Sequence, residues 1–228
     1  MYDVFFISFD ETNADDNWLS FSTRWPHARR VHGIPGISNA HRRCAELSYT
    51  SMFWTVDADT EIDLNFDLDF AVPIWDRHYL HLWYSRNPVN GLEYGYGAVK
   101  LWPRQRVLDF NSRWLDFTTT VGSIKIIPET VATTRFNVDS YSAWKSGFRE
   151  SVKLSKLSTT GDIDSQERLA AWLTVSFDVP FAKETVAGAN AGKDFFDRCN
   201  GDINSLAMIN DFERLHSYYN NAEQMKNV

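Results

Sequence analysis

Residues 2–59 alternate strand-like and helix-like segments, and that rhythm excludes most architectures. The run Tyr2-Asp-Val-Phe-Phe-Ile-Ser-Phe9 is apolar on both alternating faces and reads as a buried strand ending at Asp10-Glu11. A helix is expected from Asp16 to about Trp25, and a second short strand at Arg30-Val-His-Gly33. Gly33, Pro35 and Gly36 then break the chain. Ser38 or Asn39 caps a further helix reaching about Tyr49. Met52-Phe-Trp-Thr-Val56 is the third strand. Strand, helix, strand, helix, strand is the order of a parallel sheet with crossover helices.

After Asp59 the rhythm changes. Leu64–Phe70, Leu80–Tyr84 and Ala98–Trp102 read as strands without long helices between them, with Asn90-Gly91 as a turn. Gly95 and Gly97 around Tyr96 imply a backbone that something approaches closely. The final third reads as helical. Tyr141, Trp144, Phe148 and Val152 share one face of a helix over 140–155; others follow at Ser165–Phe177, after Pro180, and at Asn204–Asn220.

Composition narrows the class. A chain of 228 residues, 43% hydrophobic and 15% aromatic, can bury a core without staples. Cys44 and Cys199 lie far apart and mark neither a bridge nor a metal pair, so a reducing cytoplasm is the expectation. Met1–Phe9 lacks the basic lead of a signal peptide, and no apolar run approaches membrane-span length. The net charge of −7 weighs against a protein that coats nucleic acid. Arg24, Arg29, Arg30, Arg42 and Arg43 nevertheless precede an acidic stretch of Asp57, Asp59, Glu61, Asp63, Asp67 and Asp69. Such opposed patches suit either a cleft for phosphates and a metal or two solvated surfaces.

Thr55-Val-Asp57-Ala-Asp59-Thr60 is the motif that carries chemistry. Residues two apart on a strand share a side, so Asp57 and Asp59 can converge on one point where open α/β sheets place ligands. Mn²⁺ or Mg²⁺ takes such oxygen ligands and leaves room for substrate phosphates. A calcium loop is excluded, because Ile62 stands where its sharp-turn glycine is required.

An N-terminal strand ending in polar residues, two βα steps, and then apolar-Val-Asp-Ala-Asp resembles the GT-A class of glycosyltransferases over Asp3–Trp102. The resemblance implies a GT-A-like (Rossmann-like) mixed sheet, mostly parallel, flanked by helices, with a helical C-terminal third. The catalytic domain would span residues 1–157 and a helical extension residues 158–228. The resemblance also implies a metal-dependent transfer of sugar from a nucleotide-diphosphate sugar to an acceptor hydroxyl. Asp57 and Asp59 would hold the metal, with Asp57 also touching the donor. Phe9, Asp10 and Glu11 would meet the nucleoside, Arg42 the phosphates or base, and Lys100 a phosphate.

Residues 136–150, from Phe136 through Trp144, Phe148, Arg149 and Glu150, are similar to small glycosyltransferase-like proteins of large tailed phages. That narrower resemblance suggests DNA with a hydroxymethylated base as acceptor, and host cytoplasm as the compartment. Asp139 and Glu150 are the candidate bases for transfer with inversion. Asp139 equally suits a helix N-cap, and Glu150 a surface residue paired with Arg149 or Lys153. His216 is a candidate third metal ligand, though a helical histidine is commonly structural. His78 and His81 fit core or surface better than a site. Trp75, Trp83 and Trp102 suit a stacking floor or the core.

Three rivals stand. A glycoside hydrolase needs carboxylates facing each other across the bond, which one strand does not provide. A nucleotidyltransferase needs a glycine-rich loop after its first strand, and Asp10–Trp18 has no glycine. A saccharide- or nucleic-acid-binding module would draw on the aromatic content alone. Sugar, nucleotide and oligomeric state stay open.

Overall fold

The computed structural model describes residues 1–111 and 116–226. The chain forms two compact units: residues 1–87 with 93–135, and residues 88–92 with 136–228.

In the first unit, β1 (Asp3–Ser8), α1 (Ala14–Arg24), β2 (Arg29–His32), α2 (Ile37–Leu47) and β3 (Met52–Asp57) follow the expected order. Then come β4 (Thr60–Ile62), a 3₁₀ turn at Ile74–Asp76, β5 (Leu80–Arg86), β6 (Glu93–Tyr94), β7 (Val99–Pro103), α3 (Arg104–Asp109), α4 (Phe117–Thr120) and β8 (Ile124–Thr134). The sheet runs β2-β1-β3-β7-β5-β8-β4, with β6 paired to β5.

Both faces of the central strands are covered. Val4, Phe6, Met52, Trp54 and Val56 pack with Phe21 and Trp25 on one side. Phe5, Ile7, Phe53 and Trp102 pack with Ala40, Cys44 and Ala45 of α2 on the other. This is why those strands read as continuous apolar runs. Pro26, one residue past the Trp25 cap, fits the end of α1.

Three expectations need correction. The sheet is mixed but not mostly parallel: parallel pairing is confined to β2–β1–β3 and β5–β8, while β7 runs antiparallel to both β3 and β5. β5 points the same way as β3, and β7 returns between the two in the opposite sense after the short β6. Leu64–Phe70 is not a strand; only Leu68 there is deeply buried, and acids at Asp63, Asp67 and Asp69 keep the segment in solvent. Gly36 occupies the N-cap of α2 in place of Ser38 or Asn39, and the Asn39 amide instead donates back to the Pro35 carbonyl at 2.9 Å.

Asp3 anchors the start of the sheet. Its Oδ2 accepts from the Ser48 hydroxyl at 2.9 Å, from the amides of Tyr49 and Thr50 at 2.7 and 3.1 Å, and from the Thr50 hydroxyl at 3.1 Å. Its Oδ1 pairs with Arg29 at 3.0 Å. Burial pushes this carboxyl up, but the Tyr49, Ser48 and Thr50 donors together bring it below the usual value. Asp3→Ala is expected to cost about 2 kcal/mol in urea unfolding at pH 7. Because the folded carboxyl is the more acidic one, the difference from wild type should shrink as pH falls through the carboxylate range. An unchanged midpoint at pH 7 would refute the clamp.

The second unit is helical: α5 (Ser140–Ser158), α6 (Ile163–Thr174), α7 (Ala182–Cys199), α8 (Ile203–Leu206), a 3₁₀ turn at Ala207–Asn210, and α9 (Phe212–Lys226). The one helix expected over Asn204–Asn220 is thus interrupted before Phe212, where Asp211 leaves the helical conformation. The expected domain limit at residue 157 falls at the end of α5, whereas the contacts group all of α5 with the helices that follow. No helix among the described residues is long and apolar enough to cross a membrane.

Candidate functional site

The parallel strands β1, β2 and β3 end side by side. Ser8 is level with His32, and Ile7 with Asp57, so their carboxyl ends form one edge. That is where α/β sheets of this kind receive ligands. Asp57 closes β3, and its Oδ2 accepts from the Lys100 ammonium at 3.0 Å. Lys100 comes from the antiparallel neighbour β7 and is only 4% exposed, against 30% for the Asp57 side chain. The close approach implied at Gly97 is Lys100 itself: a Cβ there would sit 3.1 Å from Lys100 Cε, and its φ of 118° disfavours other residues. At Gly95 the neighbour is Leu82, 2.9 Å from the same imagined atom.

Asp57 Oδ1 is buried and has no hydrogen-bond partner. A carboxylate oxygen without a hydrogen-bond partner fits one ligand of a hard cation. Asp59 stands differently. β3 stops at Asp57, so the strand alternation does not extend to Asp59, which lies in the turn before β4. Asp59 lines a groove of about 660 Å³ between α1 and β4, whose walls do not include Asp57. No group of three or more His, Cys, Asp or Glu side chains suited to a metal occurs among the described residues. An ion completed by donor phosphates needs only one or two carboxylates.

Beside this pair is a network that sequence reasoning missed. Arg30 Nε donates to the Ser8 hydroxyl at 2.9 Å, and that hydroxyl is 2.9 Å from His32 Nδ1. Arg30 also pairs with Asp15 at 2.6 Å, and hydrogen bonding and charge from Arg30 hold the Asp15 carboxyl below its usual value. The only signal in the chain was that Ser8 and His32 each fall at the end of a short strand-like run, which parallel pairing brings level.

Helix α2 covers the inner side. His41 is buried edge-on to Trp102, its Nδ1 donating to the Ile37 carbonyl at 2.8 Å. Burial, helped by the Lys100 charge, lowers its pKa to about 3. Burial also pushes the Cys44 thiol far up, with the Asp57 charge adding to it, so this cysteine is not a nucleophile.

The remaining candidates lie as follows. Glu11 accepts from the Phe9 amide at 2.8 Å, while Asp10 is exposed. Arg42 donates to the Phe110 carbonyl at 2.7 Å. The other arginines of the basic stretch are engaged too: Arg29 with Asp3, Arg43 with Glu46, and Arg24 with backbone carbonyls. The stretch is therefore not an open phosphate patch.

In the second unit Asp139 is the N-cap of α5, accepting from the Ser142 amide at 2.7 Å and its hydroxyl at 2.8 Å. Glu150 is buried rather than on the surface, with Lys153 at 3.4 Å. His216 is exposed on α9, its ring 4.6 Å from that of Tyr141. The tryptophans make no floor: Trp83 and Trp102 are core, and Trp75 is exposed. His81 is core as well, and His78 is exposed against Tyr79.

These features define a mixed α/β protein with a parallel β2-β1-β3 edge and a buried Lys–Asp pair. No known protein family matches the chain, and no curated protein does. Among solved structures, HddC from Yersinia pseudotuberculosis is similar with a TM-score of 0.36 and 14% identity, over 56% of this chain and 69% of that one.

Proposed function

We propose that this chain is a GT-A-type glycosyltransferase that draws its sugar from a nucleotide-diphosphate sugar. The observation that carries the reading is Asp57 at the tip of a buried strand, with one buried oxygen lacking a hydrogen-bond partner and the other beside Lys100. The donor's diphosphate would lie along the carboxyl edge of β1–β3. Asp57 would hold Mn²⁺ or Mg²⁺ together with the phosphates, with Asp59 the nearest further carboxylate in sequence. When bound, the ion supplies Lewis-acid stabilisation of the leaving diphosphate. Lys100 fixes the Asp57 carboxylate through the hydrogen bond to Oδ2. The glycines of the loop at residues 95–97 let the backbone pass close by. Asp139 has both oxygens committed to the start of α5, and Glu150 is buried beside Lys153, so neither is assigned as the base.

The test is a thermal-shift screen of uridine and guanosine diphosphate sugars with and without Mn²⁺. A ligand at about 100 times its Kd stabilises by roughly 2.7 kcal/mol, a clear rise in Tm. Asp57→Asn keeps an oxygen for Lys100 but removes the charge. It should abolish the Mn²⁺-dependent part of the shift and cut sugar transfer roughly 100-fold, with an unchanged circular-dichroism spectrum. A wild-type protein that responds to no nucleotide sugar, or an Asp57→Asn variant that responds fully, would remove the basis of the proposal.

A further inference from the structure

The groove between α1 and β4 lies directly after the Asp57 tip, since Asp59 and Thr60 are among its walls. Its volume of about 660 Å³ falls in the range of pockets that hold small organic ligands. Its chemistry is unsuited to an anion. Of the two guanidinium groups lining it, Arg24 donates to the carbonyls of Asp63 and Leu64 at 3.0 Å each, and to that of Phe66, and lies 4.3 Å over the Trp25 ring. Arg135 is held by Glu61 at 2.6 Å. Against these two cations stand the carboxylates of Asp59, Glu61 and Asp63. A phosphate would meet a slight excess of negative charge and two cations already in use.

What the walls do offer is hydrogen-bonding capacity for hydroxyl groups. The Asn17 amide nitrogen donates to the Ala58 carbonyl at 2.8 Å, leaving its oxygen to accept. The Thr60 hydroxyl is buried and has no partner at all. Such a group costs free energy in the empty protein, and a ligand hydroxyl would recover it. Carboxylates accept from hydroxyls in the same way, at charge-assisted strength.

We infer that this groove takes a neutral polyhydroxyl ligand, a carbohydrate, and that this carbohydrate is the acceptor of the transferred sugar. The acceptor role rests on the glycosyltransferase reading; the carbohydrate site does not. The inference also sets carbohydrate against hydroxymethylated DNA, whose phosphates, one per ~1.7 Å of duplex axis, would oppose the carboxylates here.

The experiment measures binding of glucose, galactose, mannose, N-acetylglucosamine and their β- and α-linked disaccharides by saturation-transfer NMR, without nucleotide. Two variants accompany the wild type. Ser20→Trp, at an exposed position of α1, fills the groove. Thr60→Val keeps the shape and deletes the unpartnered hydroxyl. At least one saccharide should bind the wild type, and roughly tenfold or more weakly to each variant. Thr60→Val should melt no lower than wild type, because the hydroxyl it removes satisfies nothing in the free protein.

Absence of saccharide binding, or binding untouched by Ser20→Trp, overturns the site. So does a hydroxymethylated DNA duplex whose binding Ser20→Trp abolishes. Saccharide binding by a wild type that answers no nucleotide sugar keeps the carbohydrate site and removes the transferase reading. A nucleotide-sugar response without saccharide binding does the reverse.

Discussion

Gly188→Val should destabilise the helical unit by more than about 3 kcal/mol, the upper range for overpacked cores, and Gly188→Ala by a smaller amount in the same direction. Helices α5 and α7 meet backbone to backbone at three points. A Cβ at Gly147 would lie 2.1 Å from the Thr185 carbonyl oxygen, at Gly188 2.1 Å from that of Trp144, and at Gly192 2.3 Å from that of Phe148. None of these neighbours is a flexible side chain that can swing away. The helices would have to separate, and Phe148 and Ala189, both fully buried, would lose their close packing.

The sign of the alanine variant decides the matter, because two effects oppose. Helix propensity alone favours alanine over glycine by about 1 kcal/mol. The clash with the Trp144 carbonyl exceeds that gain, so Gly188→Ala melts below wild type. Thermal unfolding followed at 222 nm separates the cases, and a raised Tm for Gly188→Ala would show that the helices do not touch there. Periodicity could place Tyr141, Trp144, Phe148 and Val152 on one face of α5. It could not show that the opposing surface was glycine backbone, since glycine carries no hydrophobic signal.

The same limit explains what was legible elsewhere. β1 and β3 stood out because burial on both faces leaves an unbroken apolar run. β8 went unread: Pro128 lies within it, four of its eleven residues are exposed and only three buried, and its register against β5 shifts around Tyr84. Leu64–Phe70 was misread because apolar and acidic residues alternate there as in a strand, yet Phe66 and Leu68 pack on the core from a segment that pairs with no strand. In the candidate site, Asp57 was visible as the acid that ends an apolar strand. Its pairing with Lys100 was not, since that depends on an antiparallel neighbour 43 residues away. The Ser8–Arg30–His32 network depends in turn on the parallel register of β1 and β2. Asp139 had two readings in the sequence, and the Ser142 amide gives it the cap.

His41→Leu should flatten the acid side of the stability curve. The His41 ring is 1% exposed, packed against Trp102 and Phe117, with Nδ1 on the Ile37 carbonyl and Nε2 without a partner. Burial is the main reason it stays neutral, and the Lys100 ammonium adds to it; the Ile37 hydrogen bond opposes both but loses, leaving a pKa of about 3. The unfolded chain takes up a proton below its ordinary value of 6.5, while the folded chain does not until near 3. Between those values the unfolded state binds more protons, so stability falls as pH falls, by up to about 1.4 kcal/mol per pH unit from this one group. At pH 4.5 the wild type should therefore have lost roughly 2–3 kcal/mol that His41→Leu keeps, whereas at pH 7.5 the two should differ by no more than about 1.5 kcal/mol. Urea titrations read by tryptophan fluorescence at the two pH values give that difference directly, and carboxylates such as Asp3 cancel because both chains carry them. Parallel losses in the two proteins would mean that the imidazole is protonated in the folded state, and hence that α2 does not seal it against Trp102.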